Sequence, residues 1–165
     1  MSVSDLISGK DIIDIGRTFG NPKVVVYSDL PKNLDRNTGY FVLYEIKPND
    51  GHWTLLFYDK FEKTWNFFDS YGIILDKELD FTYYPTDYKE SKPLTNLIFG
   101  NGFEEYYEIN DIPYQKFKEN INTCGKWCLI RYLCYKLGYD TEWFDKKFKY
   151  INDYKLNNLF NYIFY

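Results

Sequence analysis

The chain is organised around the segment NTCGKWCLIR, residues 122–131. From this segment onward, apolar residues recur every three or four positions, namely Trp127, Ile130, Cys134 and Leu137. This spacing is typical of one face of a helix. We therefore predict a helix from about residue 125 to residue 137, ended by Gly138, with Asn122 and Thr123 as its capping candidates.

Cys124 would lie at the N-terminus of this helix. Free backbone N–H groups and the positive end of the helix dipole favour a thiolate over a thiol there, and the thiolate is the nucleophilic form of cysteine. A buried structural cysteine is the alternative, because most intracellular cysteines pack in the core. Cys124 is thus a candidate nucleophile that needs partners from elsewhere in the chain.

Length and composition are those of a soluble globular protein. The chain has 165 residues, of which 45% are hydrophobic and 27% are charged, and this predicts a single domain over residues 1–165. It contains neither a signal-peptide pattern nor an apolar run of the roughly 18 residues that span a bilayer. We therefore expect a protein that is not secreted and has no membrane partner.

The charge balance is acidic, with a formal net charge of −4 and a pI near 5.1. Proteins that hold nucleic acid usually present a basic face, so we do not expect nucleic acid as a partner. Two lysine clusters leave local binding open as an alternative, namely Lys116, Lys118 and Lys126, and Lys146, Lys147 and Lys149. Clusters of this size are more often a solvated face.

The cysteine content predicts neither disulfides nor a metal. The three cysteines, Cys124, Cys128 and Cys134, fall within eleven residues, which indicates a reducing compartment rather than a disulfide framework. Paired CxxC motifs are missing, and the only histidine, His52, lies more than seventy residues away. We predict no metal and no other cofactor, and we expect Cys128 to be a core residue.

The strongest β-strand pattern lies between residues 41 and 69. We predict strands over residues 41–46, 52–58 and 64–69, with a short strand at 24–27 and another strand at 103–109. Helices are predicted within the first twenty residues and over residues 94–99, 141–151 and 154–164. The strands are apolar on both faces, which is typical of central strands covered by helices. The fold class is therefore α+β, with a central mixed or antiparallel sheet flanked by helices.

The strands at 52–58 and 64–69 are expected to form a hairpin. A two-residue turn at Lys60 and Phe61 would pair His52 with Asp69, and paired residues lie about 4.5–5.5 Å apart with their side chains on one face. A bulge or a shifted turn would change this register. Each residue also has a structural alternative, His52 as an exposed residue at a strand start and Asp69 as a turn former.

Together, His52, Asp69 and Cys124 supply the groups that a cysteine protease needs. The thiolate is the nucleophile, the imidazole is the base, and the carboxylate fixes the imidazole tautomer. The order His, Asp, Cys differs from the papain arrangement, in which the cysteine comes first, and no histidine follows Cys124.

The motifs around these residues resemble those of a known superfamily. GHW at residues 51–53, FFDSYG at 67–72 and TCG at 123–125 are similar to the adenovirus-maturation-protease-like (adenain-type) cysteine proteases, which include the ubiquitin-like-protein proteases. The longer strings KPNDGHW and TCGKW look most like the versions from giant DNA viruses and their virophages. The resemblance covers about residues 24–137.

The resemblance implies an adenain-type fold with His52 as general base, Asp69 as its orienting partner and Cys124 as nucleophile. It also implies a glutamine ahead of the cysteine as oxyanion donor, beside the backbone N–H of the cysteine itself. Gln115 is the candidate.

Three details of the site stay open. Gln115 lies nine positions before the cysteine, where the adenoviral and ubiquitin-like-protein enzymes have six or seven, so Asn120 is the alternative donor. Trp53 is expected to line the substrate cleft, with a core role as the alternative. Arg131 lies about 10 Å along the helix from Cys124, too far to hold the thiolate, and we expect it in a structural ion pair.

The implied function is a monomeric cysteine endopeptidase that cleaves capsid or scaffold precursors after small residues during virion maturation. Its implied location is the virion and the host-cell cytoplasm. The alternatives are a deubiquitinase or ubiquitin-like-protein protease that acts on host conjugates, and a catalytically inactive binding domain of the same fold. The adenoviral enzyme is activated by DNA and a peptide, and the acidic balance and the lack of a spare cysteine argue against either activator here.

Overall fold

The computed structural model describes residues 6–100, 107–110, 112–117 and 121–165. Within these ranges the fold is α+β, as predicted, with helices on both faces of a mixed sheet. Five strands lie side by side in chain order, β1 (Pro22–Val26), β2 (Gly39–Lys47), β3 (Asp50–Asp59), β4 (Thr64–Phe68) and β5 (Tyr107–Ile109). The outer pairs β1–β2 and β4–β5 are parallel, whereas β2–β3 and β3–β4 are antiparallel. Residues 103–106 of the predicted fifth strand lie outside the described ranges.

The described helices are α1 (Gly9–Gly16), α2 (Thr86–Ser91), α3 (Pro93–Gly100), α4 (Cys124–Lys136), α5 (Thr141–Phe148) and α6 (Asp153–Phe164). Short 3-10 turns occur at Tyr27–Asp29 and Lys77–Phe81. The predicted helices are present, although α5 ends three residues earlier than residue 151. Helix α2 and the turn at Lys77–Phe81 were not predicted, since residues 73–92 carry no clear apolar periodicity.

Both faces of the sheet are covered, which confirms the prediction drawn from the two-sided apolar strands. On one face, Phe41, Leu55 and Phe57 pack in a cluster with α4 and the terminal helices. On the other face, Val42 and Leu56 belong to a second cluster that includes residues of α3. Helix α4 is buried on nearly all sides and places Cys124 at the edge of the first cluster.

The register of the β3–β4 hairpin differs from the predicted one by two residues. Tyr58 pairs with Trp65, not with Lys63. The turn has four residues rather than two, because the Asp59 carboxylate accepts the backbone N–H of Phe61 at 2.8 Å and Lys63 adopts a left-handed conformation with φ of 57°. A shift of two residues leaves every side chain on its original face of the sheet.

The start of α4 differs from the prediction in how the capping residue is used. Thr123 is the N-cap residue, but its hydroxyl makes no capping bond. It donates instead to the buried carboxylate of Asp153 at 2.5 Å, and the same carboxylate accepts the Trp127 indole N–H at 3.1 Å. The N-terminus of α4 is therefore anchored through side chains to α6. The helix ends as predicted, with Gly138 at φ of 91°.

Two cationic side chains lie in the interior, contrary to their predicted environments. Lys126 is fully buried and donates to the Asn157 side chain, so it cannot belong to a solvated basic cluster. Arg131 is 3% exposed, lies 5.1 Å from the ring centroids of Phe57 and Phe144, and donates to the Thr141 hydroxyl at 2.8 Å. The predicted ion pair of Arg131 is wrong, since no carboxylate pairs with it among the described residues. The aromatic faces take the place of an anion.

Gly51, in the motif before the histidine, has a packing role. A Cβ atom at this position would lie 1.9 Å from the backbone oxygen of Tyr44 on the neighbouring strand, so a larger residue does not fit. This glycine lets β2 and β3 approach closely where His52 begins the site. In the part of the chain that the structure describes, no helix is both long and apolar enough to cross a bilayer.

Candidate active site

His52 and Asp69 are in direct contact, as the hairpin argument predicted. His52 lies near the start of β3, Asp69 directly follows β4, and Nε2 of the imidazole is 2.8 Å from Oδ1 of the carboxylate. Both are buried, at 6% and 0% exposure. With the observed register, Asp69 lies diagonally across the hairpin from His52 rather than opposite it, and diagonal neighbours on one face remain within reach of such side chains.

The backbone around Asp69 is held by Asn110, at the end of β5. Its side-chain oxygen accepts the Asp69 N–H at 2.8 Å, while its amide nitrogen donates to the Asp69 carbonyl at 2.6 Å and to the Ile112 carbonyl at 3.2 Å. The Asp69 carboxylate also accepts the backbone N–H of Tyr71 at 2.8 Å. These bonds fix the carboxylate in front of the imidazole.

Cys124 meets His52 at the edge of the sheet. It is the first residue of α4, is 5% exposed, and is close enough to His52 to raise the pKa of the imidazole. Since Nε2 is engaged by Asp69, the ring nitrogen left for the sulfur is Nδ1. The structure thus brings together all three residues that the motifs selected, from β3, the end of β4 and the start of α4.

The surroundings of His52 favour its protonated form. Burial alone would lower the pKa of His52, but the charge and hydrogen bond of Asp69, and then the interaction with Cys124, raise the pKa well above its usual value. A protonated imidazole next to a thiol is the arrangement that promotes an imidazolium–thiolate pair.

Tyr71 covers the imidazole. Its ring stacks on His52 with centroids 4.4 Å apart and planes inclined by 15°. Burial, followed by the negative charges of Cys124 and nearby carboxylates, raises the pKa of Tyr71, so its hydroxyl stays neutral. Beyond Tyr71 the ring of Phe117 follows at 4.9 Å, and Phe117 is 74% exposed. An aromatic surface therefore leads from solvent to the buried histidine.

Gln115 lies beside the same segment and is buried. Its amide nitrogen donates to the Ile121 carbonyl at 3.0 Å and, more weakly, to the Tyr71 hydroxyl at 3.4 Å, while its oxygen accepts the Ser70 hydroxyl at 2.7 Å. The Ile121 carbonyl can only accept a hydrogen bond, so it fixes which end of the amide carries the N–H groups. Gln115 thus holds an N–H donor close to the start of α4. The alternative donor, Asn120, lies outside the described residues.

Trp53 has features of both roles considered for it. It is 8% exposed, and its indole N–H donates to the Ile7 carbonyl at 3.2 Å. It packs against the start of α4, because a Cβ at Gly125 would lie 3.3 Å from its ring. It also lines a cleft of about 450 Å³ together with Leu43 and Gly51. Trp53 is therefore a core residue with one side on a cleft, and His52, Asp69 and Cys124 are not among the residues that line this cleft.

The other two cysteines are in a different environment. Burial raises the pKa of Cys128 well above its usual value, and its thiol donates to the Trp53 carbonyl at 3.5 Å. Burial raises the pKa of Cys134 to about 11. All three thiols are free, and Cys128 is a core residue as predicted.

Glu78, which the sequence did not single out, completes the site. It is 4% exposed, and its Oε1 lies 3.7 Å from His52 Nε2. The possible ligand atoms of His52, Asp69 and Glu78 lie within 4.8 Å of one another, and this is the one such group among the described residues. However, ligands at about 2.1 Å from a tetrahedral ion are roughly 3.4 Å apart. The 2.8 Å separation of His52 and Asp69 is that of a hydrogen bond, so these atoms are engaged with each other.

Some of these site residues lie in a recognisable sequence motif, and others do not. Tyr71 and Ser70 lie within the quoted FFDSYG motif, and the motif could have marked them as site residues. Asn110 and Glu78 lie in irregular segments, and no local pattern distinguishes them from surface residues. Their roles depend on which segments the sheet brings next to Asp69.

No protein-family model matches the chain. Over 117 residues the chain is 32% identical to "Uncharacterized protein V9" of the Sputnik virophage. The aligned part is 68% of this chain and 64% of the virophage protein, so the chain spans less than two thirds of that relative's length. This similarity supports the viral and virophage part of the resemblance found in the motifs.

Proposed function

We propose that the chain is a cysteine endopeptidase in which Cys124 is the nucleophile, His52 the general acid and base, and Asp69 the residue that orients the imidazole. The observation that carries the proposal is the buried imidazole between a carboxylate at 2.8 Å and the thiol at a helix N-terminus. Each group has the partner that its role in thiol-dependent acyl transfer requires.

The reaction begins with the Cys124 thiolate and the protonated His52. The sulfur attacks the carbonyl carbon of the scissile peptide bond, and a C–S bond forms as the carbonyl oxygen becomes an anion. When this intermediate collapses, the C–N bond breaks and the imidazolium gives its Nδ1 proton to the departing amine. The neutral imidazole then takes a proton from water, the resulting hydroxide attacks the thioester, and the thiolate leaves.

The oxyanion is assigned to Gln115 and to the backbone N–H of Cys124. The first N–H groups of a helix have no acceptor within it, and Cys124 is the first residue of α4. The Gln115 donor is kept in place by Ser70 and Ile121, and its weaker bond, to Tyr71, is the one released toward the substrate. Gln115 is therefore the proposed side-chain donor.

A polypeptide is the substrate that the surroundings favour. Phe117 and Phe81 are 74% and 52% exposed, and their rings lie 6.2 Å apart next to the Tyr71 that covers His52. Exposed aromatic rings at the mouth of a site can bind apolar side chains of an extended peptide. With the similarity to a virophage protein, this leads to the proposal of an adenain-type fold and of capsid or scaffold precursors cleaved during virion maturation.

The test is cleavage of the capsid and scaffold precursors encoded by the same virus, with each fragment end identified by mass spectrometry. We expect cleavage after small residues by the wild type and none by Cys124→Ala. Labelling of the wild type by a ubiquitin-tail probe, without precursor cleavage, would favour the deubiquitinase alternative. A folded wild type that cleaves neither class of substrate would favour the inactive binding domain.

A further inference from the structure

Glu78 lies in the 3-10 turn Lys77–Phe81, which follows the left-handed residue Asp76 and returns the chain to the sheet. The turn points the Glu78 carboxyl into the interior, where it is 4% exposed beside His52 and Asp69. A neighbour on the same turn, Asp80, is exposed and pairs with Lys77 at the surface. An acidic residue on this turn can therefore be exposed to solvent, and the burial of Glu78 needs a separate explanation.

The polar atoms around Glu78 are incompletely satisfied unless a proton lies among them. Oε1 of Glu78 and Oδ2 of Asp69 are both buried, and neither finds a donor among the described residues. The two carboxyl groups are nevertheless neighbours, since an oxygen of each lies within 4.8 Å of an oxygen of the other. Two ionised carboxylates repel at such a distance, whereas one neutral carboxyl can donate to one carboxylate. A proton held by one of these two buried, unpartnered carboxyl groups would therefore remove the repulsion and supply the missing donor.

We propose that Glu78 is a positioning residue of the His52–Asp69–Cys124 site, which as a neutral carboxylic acid donates a hydrogen bond to the second oxygen of Asp69. Asp69 then uses Oδ1 for the imidazole and Oδ2 for Glu78, so its carboxylate cannot rotate away from His52. The inference deepens the proposed function and rests on it for its catalytic meaning. It assigns Glu78 no contact with substrate.

The charges around Glu78 agree with this assignment. Burial raises its pKa, the positive charge of His52 opposes the rise, and the charge and hydrogen bond of Asp69 add to it, for a pKa of about 7. The described ionisable groups that face it are His52 from β3, Asp69 after β4 and the Tyr71 hydroxyl. Loss of the proton near neutral pH would place a second negative charge beside the imidazole and remove the bond that holds Asp69.

The chain has a single histidine, which allows a direct test by nuclear magnetic resonance. With nitrogen-15-labelled histidine, every imidazole signal belongs to His52, and no substrate is needed. For the wild type we expect a step in the His52 nitrogen shifts near pH 7, and a low-field proton on Nε2. In Glu78→Gln, which keeps an N–H donor but cannot ionise, the step should vanish and the low-field proton should stay.

The matched control is Asp80→Asn, on the same turn but exposed, which should retain the step. Glu78→Leu removes the donor and should shift or broaden the Nε2 proton. A step that persists in Glu78→Gln, or an unchanged Nε2 proton in Glu78→Leu, would overturn the inference. If the proposed protease function is wrong but the contact between Glu78 and Asp69 is real, precursor cleavage is absent while these signals still behave as expected. The two hypotheses can therefore be contradicted separately.

In the active protein, Glu78→Leu should lower kcat by about 10–100-fold, the range found for outer-shell partners of metal-site ligands, with a small change in KM. Glu78→Gln should have a kcat close to that of the wild type. The wild-type rate should fall as pH rises through about 7, and Glu78→Gln should lack this fall. Equal kcat values for Glu78→Leu and the wild type would contradict a positioning role.

Discussion

The hydroxyl of Ser70 donates to Oε1 of Gln115 at 2.7 Å, and this bond links the residue after Asp69, the proposed orienting carboxylate, to the proposed oxyanion donor. The Ser70 carbonyl also accepts the backbone N–H groups of Tyr114 and Gln115, both at 2.8 Å. The loop after β4 therefore positions two parts of the site at once, the orienting carboxylate and the amide donor.

Ser70→Ala should lower kcat about tenfold, because the Gln115 amide loses the partner that keeps its N–H groups turned toward the cleft. KM should change little, since Ser70 is fully buried and cannot touch the substrate. Ser91→Ala, an exposed serine on α2, is the control. An unchanged kcat in Ser70→Ala would show that Gln115 does not act through this orientation.

Asp69→Asn should lower kcat by about 10²–10⁴-fold, because an amide can present an N–H to Nε2 and stabilise the wrong tautomer of His52. The fold should survive, since the substitution keeps the size of the side chain and leaves the bonds between Asn110 and the backbone of residue 69 in place. Steady-state kinetics with the cleaved peptide measure the loss, and circular dichroism checks the fold. Asp80→Asn is the control, and a loss of less than about threefold would remove Asp69 from the mechanism.

Asn110→Ala should destabilise the protein by about 1–3 kcal/mol, because it leaves the N–H and the carbonyl of Asp69 buried without partners. Activity should fall as well, at temperatures where the variant is still folded, since Asp69 loses its backbone clamp. Urea unfolding measures the first effect. Asn33→Ala, at an exposed position, should change stability by no more than about 0.5 kcal/mol. Equal stability of Asn110→Ala and wild type would contradict the clamp.

The stability of the protein should depend on pH through Glu78. Its pKa is about 7 in the folded chain against an ordinary value of 4.5, so folding takes up a proton between these values. The free energy of unfolding should therefore fall as pH rises from about 4.5 to about 7, and Glu78→Gln should reduce this fall. His52 acts in the same direction, but its stabilisation is complete below about pH 6.5 and is lost only as pH rises through its raised pKa. Urea titrations at several pH values measure both variants. Parallel curves for wild type and Glu78→Gln would contradict the prediction.

The sequence predicted the contact between His52 and Asp69 although the assumed register was wrong. Strand side chains alternate with a period of two, so an error of two residues in the turn preserved the face on which both residues lie. An error of one residue would have separated them. The turn is lengthened by the hydrogen bonds of the Asp59 side chain and by the left-handed conformation of Lys63. Aspartate and lysine adopt many other conformations as well, so their presence did not predict a four-residue turn.

Other parts of the site and core could not be predicted from local patterns. Lys126 and Arg131 are charged residues on a helix, and such residues are usually exposed or paired with carboxylates. Here Asn157 and a pair of aromatic rings accommodate them, and those partners come from distant segments. Glu78 is a site residue because the turn at Lys77–Phe81, which was not predicted, lies beside the sheet.

The most direct test of the account is the alkylation rate of each cysteine as a function of pH, measured by mass spectrometry with a small reagent such as iodoacetamide. Exposure alone predicts that Cys134, at 7%, reacts at least as fast as Cys124, at 5%, while Cys128 is fully buried. The proposed ion pair between Cys124 and His52 predicts instead that Cys124 is alkylated faster than Cys134. Both neighbours lie on the same helix and serve as internal controls.

We predict that Cys124 reacts at least about tenfold faster than Cys134, and that its rate stays nearly constant from about pH 6 to about pH 8, where a free thiol with a pKa of about 8.5 accelerates steeply. In His52→Ala, the rate near pH 6 should fall at least about tenfold and the steep rise with pH should return. If Cys124 reacts no faster than Cys134, or reacts identically without His52, the thiol and the imidazole do not form a catalytic pair.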